Sequence, residues 1–125
     1  MSDWDVRADR EKNRLYLTLE GQLSVEEAKA AADAVIEKTG QLEPGFDEVN
    51  DMRTFKPTDQ EAIKHIERGK RGMVENGVAA VCRVVSESAT GQMQFDRAGE
   101  NEEEYAVAKA DSVEQAEKLL DSRRS

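Results

Sequence analysis

Residues 78–85 are the most apolar and β-branched part of the chain, and they constrain the fold more than any other segment. Their sequence is VAAVCRVV, in which Arg83 alone interrupts the apolar run. A strand with so continuous an apolar run is typical of a parallel strand that is buried on both faces, within a sheet covered by helices. We therefore expect an α/β fold with this strand in the interior of the sheet.

Two shorter segments predict a hairpin at the start of the chain. Apolar and polar side chains alternate with a period of two over residues 4–8 and again over residues 15–19, on either side of a polar turn. This pattern predicts two antiparallel strands. Further strands are predicted at residues 46–52 and 105–110, so the sheet has about five strands.

Three capping boxes predict where helices begin. Each has a Ser or Thr followed three residues later by Glu or Gln, a spacing that lets the two side chains bond free backbone N–H groups at a helix start. The pairs are Ser24 with Glu27, Thr58 with Glu61, and Ser112 with Gln115. A fourth, short helix is predicted within residues 89–95.

The predicted order is β-β-α-β-α-β-α-β-α, over one domain that spans residues 1–125. Since helical crossovers between parallel strands are right-handed almost without exception, this order predicts a mixed sheet with helices packed on it. The hairpin supplies the antiparallel edge.

The charge of the chain bears on its partners. Its 18 Lys and Arg residues face 27 Asp and Glu residues, which gives a formal net charge of -9. A field of that sign repels phosphate backbones and anionic lipid headgroups, so we expect neither nucleic acid nor a membrane surface as a partner. The acidity fits plain solubility, a salt-adapted proteome or a basic protein partner, and the sequence leaves these three open.

Cysteine usage and the terminal sequence bear on the compartment. One cysteine allows no intrachain disulfide, which fits a reducing environment and also an oxidising one in which the protein has no disulfides. The first residues lack the basic and apolar regions of a secretory signal, and no apolar run approaches the ~20 residues of a membrane helix. We expect a cytoplasmic protein.

The residue types that carry most enzyme chemistry are sparse. Cys82 lies in the predicted buried strand, where an apolar setting makes a thiol inert, and His65 lies on the predicted polar flank of the second helix. No zinc spacing, calcium loop or glycine-rich nucleotide motif occurs. We expect no enzyme, no metal and no cofactor, and Asp51 with Glu87 is the sole carboxylate pair that could be nominated for catalysis.

A candidate site lies where parallel strands end. Ligands and partners of open α/β sheets gather at the carboxyl ends of the strands, and here those ends carry Asp51, Ser86 and Ser88. Asp51 has the plainer alternative of capping a turn.

The loop at residues 52–57 adds cations to that edge. Arg53 and Lys56 lie in it, and it leads to Thr58 at a predicted helix N-terminus. Free backbone N–H groups and the helix dipole favour an anion there. Thr58 is therefore either a phosphorylation or anion site, or only the N-cap of the helix.

Phe55 lies between the two cations of this loop. An exposed aromatic side chain flanked by cations is a plausible anchor for a protein partner, because binding energy concentrates in such side chains. The alternative is that Phe55 folds inward as a lid on the core.

The chain resembles the STAS domain of bacterial anti-sigma factor antagonists, and most closely its divergent STAS-like members. The resemblance covers nearly the whole chain and is clearest at residues 15–21, 44–52, 77–85, 92–95 and 112–117. In regulatory STAS domains the third strand ends in Asp-Leu-Ser, and a serine that opens the second helix is phosphorylated. Asp51-Met52 matches the strand end and Thr58 stands at the helix head, but Asp59-Gln60 replaces the expected Ser and Gly.

The resemblance implies a non-catalytic regulatory module that binds a protein partner, and the changed motif would make any phospho-switch degenerate. The alternative is a binding protein for a small apolar ligand or an anion, because folds related to STAS hold apolar ligands beside the sheet. In that case Met73, Met93 and Phe95 could line the pocket, although such residues are more often core.

Overall fold

A computed structural model describes residues 2–56, 58–86, 92–98 and 105–124. The elements in these ranges follow the predicted order, with five strands and four helices. They are β1 (Asp3–Asp9), β2 (Arg14–Gly21), α1 (Val25–Thr39), β3 (Asp47–Phe55), α2 (Gln60–Glu75), β4 (Ala80–Val84), α3 (Gln92–Arg97), β5 (Ala106–Ala110) and α4 (Val113–Arg124).

The order of strands in the sheet is the same as their order in the chain. β1 pairs with β2 antiparallel, and β2, β3, β4 and β5 pair in parallel. β4 lies between β3 and β5, which confirms that the apolar strand is in the interior. Since every crossover moves across the sheet in the same direction, strand order never reverses, and the described sheet lacks the crevice that such a reversal creates.

The same topology places the helices. Right-handed crossovers that always move in one direction put the connecting helices on one face of the sheet, and α4 covers the other face. Two clusters of buried apolar side chains match this division. The α1–α2 face includes Leu15, Leu17, Val35, Met52, Met73, Val81 and Phe95. The α4 face includes Val49, Cys82, Val84, Ala110, Ala116 and Leu120.

α1 and α2 approach each other closely through two glycines of α2. A Cβ atom on Gly72 would lie 2.5 Å from Cγ1 of Ile36, whereas one on Gly69 would lie 3.6 Å from the Cβ atom of Ala32. Gly72 therefore leaves the space that Ile36 occupies. This close approach fixes the pair of helices over the sheet.

β3 is longer than the sequence predicted. It continues to Phe55, because Glu20 pairs with Thr54 and Gly21 with Phe55 after a register shift in β2. The residues assigned to a loop after position 52 therefore begin as strand.

One of the predicted capping boxes is wrong. The N-cap of α2 is Asp59, not Thr58, since the Thr58 hydroxyl donates instead to the carbonyl of Leu23. The capping box of Ser24 with Glu27 is present. Ser112 likewise accepts a hydrogen bond from the backbone N–H of Gln115, at 3.1 Å.

None of the helices in the described ranges combines the length and the apolar character needed to cross a membrane.

Candidate functional site: a pocket between the sheet and two helices

Asp51 and Arg53, at the carboxyl end of β3, bind each other. Arg53 Nε lies 2.9 Å from Asp51 Oδ1, and Arg53 Nη2 lies 2.7 Å from Asp51 Oδ2. Burial acts to raise the pKa of Asp51, but the hydrogen bonds and charge of Arg53 outweigh it and hold that pKa below its ordinary value. The predicted strand-end acid therefore neutralises one of the two cations proposed to bind an anion.

The other described residues predicted at this edge bind neighbouring protein groups or lie exposed. The Ser86 hydroxyl donates to the carbonyl of Arg53 at 2.9 Å, and Lys56 is exposed. The Thr58 side chain is buried, and its backbone N–H donates to Gln94 Oε1 at 2.7 Å. Ser88 and Glu87 lie outside the described residues.

Phe55 is completely buried, so of the two interpretations the anchor, which needs Phe55 exposed on a loop, is wrong. It ends β3 on the α1–α2 face and meets Phe95 edge to face, with the ring centroids 6.0 Å apart. The extension of β3 by pairing with Gly21 carries Phe55 inward. The alternative interpretation, a lid on the core, describes its position.

A pocket lies on the α1–α2 face, between the sheet and the two helices. The volume open to the centre of a water molecule is about 40 Å³. Apolar side chains make up most of its wall: Leu17, Leu19, Leu23, Ala28, Ala31, Ala32, Val35, Ile66, Met73, Val81 and Phe95. The remaining lining residues are Glu48, His65, Gly69, Lys70, Arg83 and Tyr105.

Glu48 is the notable polar group of this pocket. Its side chain comes from the middle of the sheet and is 1% exposed. Burial raises the pKa of its carboxyl to about 7, while the positive charges of Arg83 and Lys70 act to lower it. Its Oε2 atom is buried and accepts no hydrogen bond from the described residues.

The two cations near Glu48 bind other groups. Lys70 Nζ donates to the carbonyls of Phe95 at 2.7 Å and Ala98 at 2.8 Å. Arg83 Nη1 lies 2.8 Å from Asp96 Oδ1. Lys70 and Arg83 are each 3% exposed, so their charges are held beneath the surface beside the pocket.

Sequence reasoning found part of this site. Met73 and Phe95 line the pocket, as the ligand-binding alternative predicted, and the side chain of Met93 lies outside the described residues. His65 was predicted on a solvated flank, but it is half-buried, lines the pocket and contacts Arg68. The prediction is wrong because α2 turns that flank toward the pocket.

Glu48 was missed by sequence reasoning. The signal available was its place in β3, since Phe46 and Met52 lie on the same face at even spacing and are both core residues. A carboxylate on that face must be buried. Cys82 is buried as predicted, and burial raises the pKa of its thiol.

Among the described residues, no group of three or more His, Cys, Asp or Glu side chains is placed to hold a metal ion.

Comparison with known proteins concerns the fold. No protein-family model matches the sequence, and no curated protein matches it. One similar solved structure, of a protein called Mglu, has a TM-score of 0.49 at 23% identity. The match covers 66% of this chain and 19% of that protein's chain. The structure of an uncharacterized DUF3478-family protein from Shewanella loihica PV-4 has a TM-score of 0.71, at 13% identity over 96% of this chain and 95% of that one. That protein is described as having a SpoIIAA-like fold, and the present chain therefore has a SpoIIAA-like, STAS-like α/β fold, as the resemblance predicted.

Proposed function

We propose that this chain is a non-catalytic binding protein that holds a small, predominantly apolar molecule in the pocket on the α1–α2 face. The observation that carries the proposal is the wall of that pocket, in which apolar side chains from the sheet and three helices surround a few polar groups. Concave apolar sites with a few convergent polar groups are the usual form of small-molecule sites. A volume of about 40 Å³ exceeds the ~10–15 Å³ that one water needs, so the site suits a compact ligand.

A regulatory module that binds a protein partner is the second candidate. The STAS-like fold favours it, since that resemblance implies such a role. The proposed anchor Phe55 is buried, however, and the hydroxyl of Thr58 is enclosed. The exposed large apolar side chains of the described residues, Val107 and Leu119, lie on different elements, β5 and α4. Phosphorylation of Thr58 stays a prediction, and the buried hydroxyl weighs against it.

The pocket is tested with benzene as the probe. Methyl NMR signals of Leu17, Met73 and Val81 should shift in a saturable manner as benzene is added. Ala31→Leu, on the pocket wall, should fill the space and abolish the shifts. The matched control is Ala116→Leu on the α4 face, since Ala116 is fully buried and does not line the pocket. The same enlargement there should cost ~1–3 kcal/mol while benzene binding persists.

Two results would contradict the proposal. One is the absence of saturable shifts in the unmodified protein. The other is equal benzene binding by the Ala31→Leu variant, provided that it is folded. If that variant does not fold, Val35→Phe on the same wall replaces it.

A further inference from the structure

We propose that the pocket selects a neutral ligand that carries a hydroxyl group, and that the Glu48 carboxyl accepts the hydrogen bond from that hydroxyl. The inference rests on the proposed binding function and adds the chemistry of the ligand's polar end. It is carried by one buried oxygen atom and by the charges around it.

The oxygen atom is Oε2 of Glu48. It is buried at the pocket and accepts no hydrogen bond from the described residues. The great majority of buried polar atoms form a hydrogen bond, because a buried acceptor without a donor loses its hydration and gains nothing in return. A ligand hydroxyl at the sheet end of the pocket supplies the missing donor.

The surrounding charges exclude charged ligands. A ligand carboxylate would meet the Glu48 carboxyl, while Lys70 Nζ already donates to two backbone carbonyls and Arg83 already pairs with Asp96. A ligand ammonium group would meet the positive charges of Lys70 and Arg83, which act on Glu48 from α2 and β4. A neutral hydroxyl avoids both repulsions.

The ionisation of Glu48 gives the interaction a pH dependence. Burial raises the pKa of Glu48 to about 7, so its carboxyl changes from mainly neutral to mainly charged between pH 6 and pH 8. A charged acceptor forms the stronger hydrogen bond, so hydroxyl binding strengthens over that interval.

Other titratable or charged groups also face the pocket. They are His65 and Lys70 from α2, Arg83 from β4 and Tyr105 ahead of β5, whereas α1 contributes only apolar side chains. Histidine is the residue type that ordinarily changes charge between pH 5 and 8, and His65 is the histidine of this pocket. It therefore needs its own control.

The experiment compares four ligands that share a benzene ring: benzene, phenol, benzoate and benzylammonium. NMR titrations at pH 8 should show phenol bound at least about tenfold more tightly than benzene, since a hydrogen bond to a charged acceptor is worth about that much. Benzoate and benzylammonium should bind more weakly than benzene. The preference for phenol over benzene should fall when the titration is repeated at pH 6.

Variants of Glu48 test whether its carboxyl causes the preference for phenol and the pH dependence of that preference. Glu48→Met should keep benzene binding and lose the preference for phenol. Glu48→Gln, which retains an acceptor oxygen but cannot ionise, should give a preference that does not change with pH. His65→Gln should leave the pH dependence intact.

The outcomes separate the two proposals. Absence of saturable binding for both benzene and phenol overturns the binding function itself. Equal affinities for benzene and phenol, a preference for benzoate, or a pH dependence that follows His65 instead of Glu48 overturns the assignment of the hydroxyl while the pocket stands. If the Glu48→Met variant does not fold, the His65→Gln variant decides between Glu48 and His65. A preference for phenol that still changes with pH in that variant assigns the effect to Glu48, and a loss of the change assigns it to His65.

Discussion

Arg14 and Asp47 form a bidentate ion pair inside the protein. Arg14 Nε lies 2.7 Å from Asp47 Oδ1, and Arg14 Nη2 lies 3.2 Å from Asp47 Oδ2. The arginine is 0% exposed and the aspartate 3%. Asp121 and Arg124 of α4 add further bonds to this pair, which joins the last helix to the starts of β2 and β3.

Removing Asp47 should be costly. Asp47→Ala leaves Arg14 buried without its main counter-charge, and the free energy of unfolding should fall by ~3–5 kcal/mol in a urea titration. Asp121→Ala is the matched control, because its side chain is 61% exposed and the loss should stay below ~1 kcal/mol. Equal losses of unfolding free energy in the two variants would show that the buried ion pair stabilises the fold no more than the exposed one.

The stability of the protein should depend on the protonation of Glu48. The pKa of its carboxyl is raised from 4.5 to about 7 by burial, so the folded chain binds more protons than the unfolded chain between these values. This contribution to stability is complete below pH 4.5 and is lost as the pH rises through 7. Relative to Glu48→Gln, which cannot titrate, the free energy of unfolding should fall by about 3 kcal/mol between pH 4 and pH 8. A difference that stays constant with pH would contradict the buried position.

Replacing the two glycines of α2 by alanine should change the stability of the protein in opposite directions. Gly72→Ala places a methyl group 2.5 Å from Cγ1 of Ile36, and this overpacking should cost ~1–3 kcal/mol in thermal or urea unfolding. Gly69→Ala meets Ala32 at an ordinary 3.6 Å and should gain ~0.5–1 kcal/mol from helix propensity. Adding Ile36→Ala to Gly72→Ala should recover part of the loss. A stabilising Gly72→Ala variant would mean that the helices are further apart.

Because Phe55 is buried, we expect its truncation to destabilise the fold. Phe55→Ala should lower the free energy of unfolding by ~3–5 kcal/mol, because it removes a fully buried ring and its contact with Phe95. Lys56→Ala, at the exposed neighbouring position, should change it by less than ~0.5 kcal/mol. A Phe55→Ala protein with unchanged stability would restore the exposed-anchor hypothesis.

The sequence predicted the elements well because their signals are local. The apolar run at 78–85 contains β4, the alternation of apolar and polar residues located the hairpin, and Ser24 with Glu27 located the start of α1. Each of these patterns is set by the pleat of a strand or by the free N–H groups of a helix terminus.

The candidate site was less predictable because it depends on contacts between distant segments. Phe55 moves inward through pairing of β3 with Gly21, and Thr58 is enclosed by Leu23, more than 30 residues earlier. Glu48 lies among apolar residues of a strand, and its role depends on α2 and α3 closing over it. No spacing in the sequence carries that information.

The agreement between strand order and chain order also affects how the chain can be assembled during synthesis. Each parallel strand pairs with the strand made just before it, so the α1–α2 face can close progressively as residues emerge, consistent with N-terminal parts folding first. The opposite face has no such order. Val49, Cys82 and Val84 pack with Ala116 and Leu120 of α4, so the apolar surface that they form in a nascent chain stays exposed to water, and to chaperones, until α4 is complete.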